Sequence, residues 1–473
     1  MPKEFIVAIE LGSSKMTGIA GKKNLDGSIS VLSVVREDST SCIRKGVVYN
    51  IDKTVLCITN IIKKLETTLK TKIMKVYVGV GGQSIRSVKN VIVKDLPAGT
   101  IITQEIINEL MDANRSMTYP DQEILDAAIQ EYKVDSQYQL DPVGIQCTRI
   151  EGNFLNILQR KAFYRNLNKC FDNAGIGIAE MYLAPLALAD SILTEAERRS
   201  GCVLVDLGAD TTTVSVYHKN ILRHLAVIPL GGNNVTKDIA TVQMEEHEAE
   251  AIKLKYGSAF TDSNDIDDSL RYPIDHERQV ESRKLVDIIE GRMDEIIENV
   301  WYQVPNEFVD KLLGGIILTG GGSNMKNIEK AFRNHTHIPK VRVAKFVQQT
   351  INTKNPEISA KDGTMNTILG LLEKGDINCA GEEITNDLFN TDRPLATGRI
   401  QRTGDRQGVV QTEAEKRAQE EARRKKEEEE ERIRRENKIK EEEEKKTKKE
   451  NSITNKAIKN LKTFFKKMVE EEE

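Results

Sequence analysis

The chain of 473 residues is poor in aromatic residues and carries no marked excess of charge of either sign. Tryptophan occurs once, aromatic residues make up 5%, and 69 basic residues nearly balance 73 acidic ones for a net charge of -4. No basic field therefore indicates a nucleic-acid partner. No stretch approaches the roughly 20 apolar residues of a membrane-spanning helix. Glu10 interrupts the first apolar run too early for a signal peptide, so we expect a soluble or peripheral protein.

The cysteines are also few and are widely spaced. None forms a CxxC pair or lies in a cluster of cysteine and histidine. This spacing favours buried, reduced thiols over a metal site or a disulfide framework, and it suits a reducing compartment. The six positions are Cys42, Cys57, Cys147, Cys170, Cys202 and Cys379.

The sequence that is present changes character along its length. Up to about residue 380, apolar runs alternate with helical patterns, which is typical of an α/β fold with mostly buried strands. A more polar stretch at 84–161 indicates an inserted subdomain, and charged helical sequence covers 235–312 except for a polar loop at Thr261–Ser269. After residue 382 the apolar content falls. Residues 413–450 are almost all Glu, Lys and Arg, which predicts a disordered segment or a solvated single helix, with a partner-binding tail as the alternative.

Two segments repeat one pattern, namely Val7–Lys15 (VAIELGSSK) and Leu204–Thr212 (LVDLGADTT). Each is an apolar strand with one carboxylate, followed by a glycine and a small polar turn into a second strand. Glycine lets backbone N–H groups approach phosphate oxygens, and a carboxylate at the strand end can hold Mg2+ through water. One copy is equally compatible with an ordinary hairpin. Two copies, each opening an α/β half, predict a duplicated fold with a phosphate ligand between the halves.

A third glycine-rich turn, Leu318–Asn324 (LTGGGSN), ends an apolar run and precedes a helix. Three successive glycines allow the backbone to approach a flat group such as adenine or ribose closely. Such a turn is weak evidence by itself. Its position behind the two phosphate turns predicts an adenosine site.

In these motifs the chain resembles the actin, sugar-kinase and heat-shock-chaperone superfamily, and within it the FtsA family of bacterial cell-division proteins. The resemblance covers about residues 4–375 and returns at the C-terminus. The segments most specific to FtsA are LRHLAVIPLGGNNVTKDIA at 222–240, EAEAIKLKYG at 248–257 and the polar stretch 84–161.

The resemblance implies an α/β, actin-like, duplicated two-lobed ATPase fold with an FtsA-type insertion. Its expected parts are subdomain 1A at 1–83 and 162–200, inserted subdomain 1C at 84–161, subdomain 2A at 201–235 and 310–381, subdomain 2B at 236–309, a charged linker at 382–450 and an amphipathic membrane-targeting helix at 451–473.

The resemblance also implies which residues bind ATP and Mg2+. Glu10 and Asp206 would address magnesium. Glu250 and Lys253 would contact the ribose, with an ordinary surface helix as the alternative. The phosphates would be met by Gly12, Ser13, Ser14, Lys15, Gly208, Asp210 and Thr211, and the adenosine by Gly320, Gly321, Gly322 and Asn324.

Three positions depart from the family pattern. Glu10 stands where the first motif usually has Asp, and its longer arm shifts the metal. Asp210 adds negative charge beside a triphosphate. Ala184, before Pro185, stands where MreB and the chaperones have a glutamate that orients the attacking water. We therefore expect no catalytic residue and at most a slow ATPase, with the nucleotide acting as a conformational and polymerisation ligand.

Residues 451–473 repeat apolar side chains at helical spacing, with lysines mainly on the flank or the opposite face. This pattern is typical of an interfacial membrane anchor, and FtsA carries such a helix. A helix docked on its own core or on a partner is the alternative, which the long charged tether disfavours. The expected membrane contacts are Ile458, Leu461, Phe464, Phe465 and Met468.

The implied function is that of an ATP-binding cell-division protein that polymerises on the cytoplasmic face of the inner membrane, at the septum, and tethers the FtsZ ring there. Its partners would be other copies of itself, an anionic membrane surface and the C-terminal tail of FtsZ. The tail would bind at 236–309 through Arg283 and Arg292, for which exposed helix arginines are the alternative. A PilM-like pilus-assembly adaptor is the alternative function. A sugar or acetate kinase is a third, although no convincing catalytic carboxylate is found.

Overall fold

The computed structural model describes residues 4–383, 407–425 and 432. It divides into a body that ends at Thr412 and a tail that begins at Glu413. Residues 451–473 lie outside the described part, and with them the predicted membrane contacts Ile458, Leu461, Phe464, Phe465 and Met468. In the described ranges, no helix is both long and apolar enough to cross a membrane.

The strands of the body are numbered in chain order. They are β1 (Ile6–Leu11), β2 (Lys15–Lys23), β3 (Ile29–Asp38), β4 (Ile43–Arg44), β5 (Val47–Val48), β6 (Thr71–Ile73), β7 (Lys75–Val80), β8 (Arg86–Ile101), β9 (Gln122–Val134), β10 (Gln137–Gln139), β11 (Gln146–Arg160), β12 (Gly177–Leu183), β13 (Cys202–Leu207), β14 (Thr212–His218), β15 (Ile221–Ile228), β16 (Arg271–Pro273), β17 (Gln279–Glu281), β18 (Gly315–Thr319), β19 (Val341–Val343), β20 (Ile351–Asn352), β21 (Ala380–Glu383) and β22 (Val409–Val410).

The helices follow the same numbering, and 3-10 turns lie at Ser263–Asp265 and Gly321–Asn324. The helices are α1 (Ile51–Leu69), α2 (Gln104–Arg115), α3 (Lys161–Ala174), α4 (Ala184–Ile192), α5 (Glu195–Ser200), α6 (Gly232–Ala240), α7 (Glu246–Tyr256), α8 (Ser282–Tyr302), α9 (Asn306–Val309), α10 (Ile328–Thr336), α11 (Pro356–Ser359), α12 (Asn366–Lys374) and, in the tail, α13 (413–425).

The two large sheets repeat one strand order. The first contains β3-β2-β1-β7-β12 and the second contains β15-β14-β13-β18-β19. In both, the strand that carries the carboxylate pairs antiparallel with the next strand and parallel with a later one, β7 in the first sheet and β18 in the second. The duplication predicted from the two glycine turns is thus a duplication of the whole five-strand unit.

Helices cover the first sheet because its central strands are apolar on both faces. Strand β1 is buried along Ile6–Ile9. Helix α1 packs on β2 and β3, whereas α12 packs on β1, β2 and β7. The helix α1 begins where the Asn50 side chain accepts a hydrogen bond from Lys53 N–H, and it ends at Lys70 in the left-handed region (φ 55°). These helices bury the sheet around β1, and the first glycine turn follows directly where β1 ends.

In the second sheet, alternate residues of β13 face different cores. Val203, Val205 and Leu207 pack in the core formed with α6, α7, α8 and α10. Cys202 and Leu204 belong to the main core, which the first sheet also builds. A strand buried on both faces reads as a continuous apolar run, and this is why Cys202–Leu207 shows no polar alternation before its single carboxylate.

The polar stretch 84–161 forms β8, α2, β9, β10 and β11, with a separate small core between its strands and α2. It extends the second sheet in the order β10-β9-β11-β8-β15. The register between β8 and β15 contains one residue pair, Arg86 with Ala226. The insertion therefore has its own core and only a narrow backbone connection to the second sheet.

Two sequence predictions need correction. The stretch 235–312 is predicted to be helical except for the loop Thr261–Ser269, but β16 and β17 also form a hairpin between α7 and α8. These strands have three residues each, too few for a periodic pattern. The linker predicted at 382–450 is wrong at 407–412, where β22 pairs with β12 and Val410 is buried in the main core. Within the described tail, 413–425 is a helix in which Lys425 pairs with Glu421 (2.7 Å), four residues earlier.

All six cysteines are free, and five of them are buried. Burial raises the pKa of Cys170 and of Cys202 to about 12, so these thiols stay protonated. The sequence-based expectation of buried thiols agrees with this arrangement, apart from the half-buried Cys57.

Candidate functional site

The two repeated turns have the same backbone geometry. A Cβ atom on Gly12 would lie 2.6 Å from the carbonyl oxygen of Lys15, and one on Gly208 would lie 2.7 Å from that of Thr211. Both distances are too short for a real Cβ contact, so a side chain would force each turn open. Glycine is therefore required at the same point of both turns, immediately beyond the carboxylate-bearing strands.

One connecting segment, residues 39–50 between β3 and α1, touches both turns. Ser39 Oγ donates a hydrogen bond to the carbonyl oxygen of Gly12 (2.6 Å), and Gly46 N–H donates to Ser13 Oγ (2.8 Å). Lys45 N–H donates to Asp210 Oδ2 in the second turn (3.1 Å); the region between the two turns is called the cleft below. Lys45 itself has a left-handed backbone (φ 49°), which is uncommon for a residue with a side chain. The segment 39–50 thereby holds the two turns opposite each other.

The sequence gives no local signal for this bridge. Lys45–Gly46 looks like any turn, and its partners lie far away in the chain, at Ser13 and Asp210. Contacts of this kind depend on the folded arrangement of the two halves, so they were absent from the predicted site.

The two carboxylates predicted to bind a metal are half-buried, and the charge of Asp206 acts on Glu10. Burial, and then the nearby Asp206 carboxylate, raise the pKa of Glu10 to about 8, while Arg36 acts in the opposite direction. Burial raises the pKa of Asp206 to about 6. Because both carboxyl groups resist ionisation, a cation bound between them would stabilise their charged forms.

The third glycine turn lies directly against the second carboxylate. Gly320 has a positive φ of 81°, and a Cβ there would lie 2.4 Å from Asp206 Oδ1. Asn324, at the end of the following 3-10 turn, donates from Nδ2 to the carbonyl oxygen of Asp362 (2.8 Å). The predicted adenosine turn, which includes Gly321 and Gly322, and the second phosphate turn therefore share one wall.

Glu250 and Lys253 lie on α7 and form an ion pair (2.6 Å). Lys253 Nζ also donates to Thr236 Oγ1 (2.8 Å) and to the carbonyl oxygen of Gly232 (3.1 Å). Gly232 N–H in turn donates to the carbonyl oxygen of Gly208 (2.9 Å). The Lys253 side chain is only 9% exposed. Lys253 is therefore linked to the second turn through Gly232, whereas the Glu250 side chain remains 39% exposed.

The remaining predicted phosphate contacts differ in their exposure and in the hydrogen bonds that they already make. Ser14 and Thr211 lie half-buried in the two turns, and Lys15 begins β2 with an exposed side chain. The carboxylate of Asp210 is already engaged, by Lys45 N–H and by Asn233 Nδ2 (2.7 Å). A carboxylate has no proton to donate to a phosphate, and that of Asp210 joins the second turn to the segment 39–50 through Lys45 N–H.

Ala184 begins α4 and lies beside the turn that follows β7. A Cβ on Gly81 would be 3.9 Å from the Ala184 methyl group. The amide of Gln159, a residue that the sequence did not single out, donates from Nε2 to the Gly81 carbonyl oxygen (3.2 Å). Within the described residues, its buried Oε1 has no hydrogen-bond partner. Ala184 itself supplies no polar group that could orient water.

Arg283 and Arg292 lie on α8, outside this cleft. Arg283 is paired with Asp268 in the preceding loop, and its side chain is half exposed. Arg292 is paired with Asp238 on α6 and with Glu295. Both arginines therefore have internal carboxylate partners, so they are not simply free surface charges.

The residues present fit a nucleotide with a divalent ion. At Gly12, Gly208 and Gly320 a side chain would collide with neighbouring protein atoms, so the backbone stays bare beside two carboxyls with raised pKa values. Across the described ranges, no group of three or more His, Cys, Asp or Glu side chains forms a metal cluster. Two carboxylates suit Mg2+, which keeps most of its water and is completed by phosphate oxygens.

Comparison with known proteins agrees with this architecture. A family model described as Cell division protein FtsA matches residues 203–363, and one described as SHS2 domain inserted in FTSA matches residues 82–158. Cell division protein FtsA of Porphyromonas gingivalis is 33% identical over 386 residues, 80% of each chain. That of Neisseria meningitidis serogroup B is 32% identical over 333 residues, 69% of this chain and 80% of the relative.

Among solved structures, the PilM-PilN type IV pilus biogenesis complex superposes with a TM-score of 0.54 at 14% identity, over 78% of this chain and 98% of that chain. At this identity the likeness concerns the fold alone. The repeated five-strand unit and the facing glycine turns define an actin-like protein with an inserted subdomain. More narrowly, the chain belongs to the FtsA family of cell division proteins.

Proposed function

We propose that this chain binds ATP with Mg2+ between its two lobes, assembles into actin-like filaments on the cytoplasmic face of the cell membrane, and tethers the FtsZ ring there during division. The observation that carries the nucleotide part is the bridge formed by segment 39–50, which touches Ser13 in one glycine turn and Asp210 in the other. Membership of the FtsA family supports the division role.

In this proposal, the backbone N–H groups of both turns and the hydroxyls of Ser13, Ser14 and Thr211 hold the phosphates. Lys15 reaches them from the start of β2. Glu10 and Asp206 orient the hydrated magnesium ion, which when bound neutralises phosphate charge. The turn at Gly320–Gly322 approaches the adenosine, and the Glu250–Lys253 pair on α7 contacts the ribose.

Hydrolysis should be slow, because Ala184 offers no group to orient a water molecule toward the terminal phosphate. The bound nucleotide then acts mainly on the contacts between the lobes, such as that between Lys45 and Asp210. We infer that ATP favours a lobe arrangement that assembles, and that the chain is at most a slow ATPase.

Membrane attachment is assigned to residues 451–473, whose apolar stripe and lysines suit an anionic bilayer surface. A single amphipathic helix binds reversibly, and polymerisation raises avidity without any new contact. Attachment and assembly should therefore depend on each other.

The FtsZ tail is proposed to bind at 236–309 through Arg283 and Arg292, which would exchange internal carboxylates for those of the tail. Arg283 is the sharper probe, because Arg292 also joins α8 to α6 through Asp238. We expect Arg283→Glu to abolish binding of an acidic FtsZ tail peptide, while Lys284→Glu, an exposed neighbour, preserves it. Equal peptide affinity in both variants would place the partner site elsewhere.

The whole proposal is tested by co-sedimentation of the full chain with anionic liposomes, with and without ATP and FtsZ. We expect pelleting that ATP strengthens and that carries FtsZ into the pellet. The variant carrying Phe464→Asp and Phe465→Asp should stay in the supernatant and keep its melting temperature. If it pellets like the unmodified protein, residues 451–473 are not the anchor.

The PilM-like alternative draws only on the shared fold. It predicts no effect of FtsZ on the pellet, so the same assay separates the two functions.

A further inference from the structure

The edge of the first sheet beyond β12 is covered by a short piece of the chain's own C-terminal region, residues 407–412, called the strap below. Within it, β22 pairs antiparallel with β12, with Val410 opposite Met181 and Val409 opposite Tyr182. The strap is the last part of the body, and the tail begins immediately after it.

The strap makes contacts that are specific to its sequence. Leu183 N–H donates to the carbonyl oxygen of Gly408 (2.8 Å), and Gly408 N–H donates to Asp126 Oδ2 on β9 (2.7 Å). Gly408 has a φ of 89°, and a Cβ there would approach Leu186 on α4 to 3.3 Å. Val410 is 1% exposed in the main core. The bare Cα and the N–H of Gly408 and the side chain of Val410 thus each have a specific partner in the rest of the body.

The chain connection does not force the strap onto this edge. Strand β21 ends at residue 383 beside β6, and Gly177 N–H at the start of β12 donates to the carbonyl oxygen of Met74, just after β6 (3.1 Å). From Gly177 to Met181 the strand covers about 13 Å. Residues 384–406 could extend to about 80 Å. The strap therefore lies here because its own residues fit.

We propose that the outer edge of β12, with Asp126 and Leu186, is a strand-docking site whose ligand is the strap of the same chain. Docking covers backbone groups that would otherwise invite pairing with other strands. It also attaches residues 407–412 to the body, so that the tether to the predicted membrane segment begins at residue 413. Release of the strap lengthens that tether, and this consequence, unlike the docking itself, rests on the proposed function.

The test uses a fluorescent peptide with the sequence of residues 404–413 and the full-length chain. Val410→Asp places a charge in the core and empties the site, whereas Ala414→Asp adds the same charge at an exposed position in α13. We expect the peptide to bind the Val410→Asp chain at least tenfold more tightly than the unmodified chain or the Ala414→Asp chain. A peptide that itself carries Val410→Asp should not bind.

Equal peptide affinity in all three chains, or no binding to the Val410→Asp chain, overturns the proposal. Amide hydrogen exchange gives a second readout, because Leu183 N–H loses its acceptor when the strap leaves. Exchange at Leu183 should be at least tenfold faster in the Val410→Asp chain and unchanged in the Ala414→Asp chain. If Val410→Asp does not fold, Gly408→Pro serves instead, since it removes the N–H bound by Asp126. Slow exchange at Leu183 in a folded strap variant would contradict docking. None of these readouts involves nucleotide or lipid.

Discussion

The two glycine turns that border the cleft have similar backbone geometry but different side chains. Gly12 and Gly208 occupy equivalent points, with would-be Cβ atoms 2.6 and 2.7 Å from the carbonyl three residues later. The first turn is rich in hydroxyls and is preceded by a glutamate with a pKa near 8. The second turn contains Asp210, which accepts a hydrogen bond from Lys45 N–H, and it is preceded by Asp206 with a pKa near 6.

The backbone imposes the same requirement on both turns, while it leaves their other side chains free to differ. The glycine cannot change in either turn, because a side chain would meet the backbone. The other positions differ, since the first turn has hydroxyls at Ser13 and Ser14 whereas the second contacts Lys45 through Asp210. Equivalent positions in the two halves therefore need not have equivalent roles.

The largest effects should come from adding one methyl group to either turn. Gly12→Ala and Gly208→Ala should each lower the free energy of unfolding by about 1–3 kcal/mol through overpacking and should abolish ATP binding. Gly27→Ala is the control, because a Cβ at Gly27 would have no atom within 4 Å. Its positive φ of 81° adds a smaller strain of its own. Thermal unfolding and nucleotide titration check both effects. If only one turn is sensitive, the two turns are not equivalent in backbone function.

The next largest effect is expected from removing the charge of Asp206, the carboxylate beside the second turn. Asp206→Asn should weaken binding of ATP in the presence of Mg2+ at least tenfold, about 1.4 kcal/mol, because the remaining amide cannot balance the cation. Affinity measured in EDTA should barely change. An equal loss with and without magnesium would mean that Asp206 acts on the structure of the turn and not on the metal.

A smaller effect is expected for the lobe-to-lobe contact. Asp210→Ala removes the acceptor of Lys45 N–H and should cost about 1 kcal/mol of stability, while ATP affinity is kept or improved because a negative charge leaves the cleft. Ser13→Ala, in the first turn, should instead reduce ATP affinity. Chemical denaturation and titration of both variants decide this. Loss of ATP affinity in Asp210→Ala would mean that the Asp210 side chain does contribute to phosphate binding.

The smallest expected effect is a dependence on pH. Below a pKa of about 8 the carboxyl of Glu10 is protonated, so magnesium must displace a proton and the magnesium-dependent affinity falls as pH drops from 8 to 7. Glu10→Gln removes this dependence and leaves that of Asp206, which sets in near pH 6. The difference between the two chains should be roughly fivefold over that interval. Parallel pH profiles would remove Glu10 from the metal site.

Much of this cleft is visible in the sequence because its determinants are local. An apolar strand, one carboxylate and a glycine turn lie within nine residues in Val7–Lys15 and again in Leu204–Thr212. The bridge from Lys45 to Asp210 and the pairing of Val410 with Met181 join residues far apart in the chain. Such contacts depend on how whole elements pack, and a two-residue strand carries no periodic signal of its own.

The most direct test of the central claim is calorimetric titration of the unmodified full-length chain with ATP, with and without Mg2+. A nucleotide held between two turns and two carboxylates predicts one site per chain, with an affinity at least tenfold higher when magnesium is present. The absence of saturable binding, or the same affinity without magnesium, would contradict it.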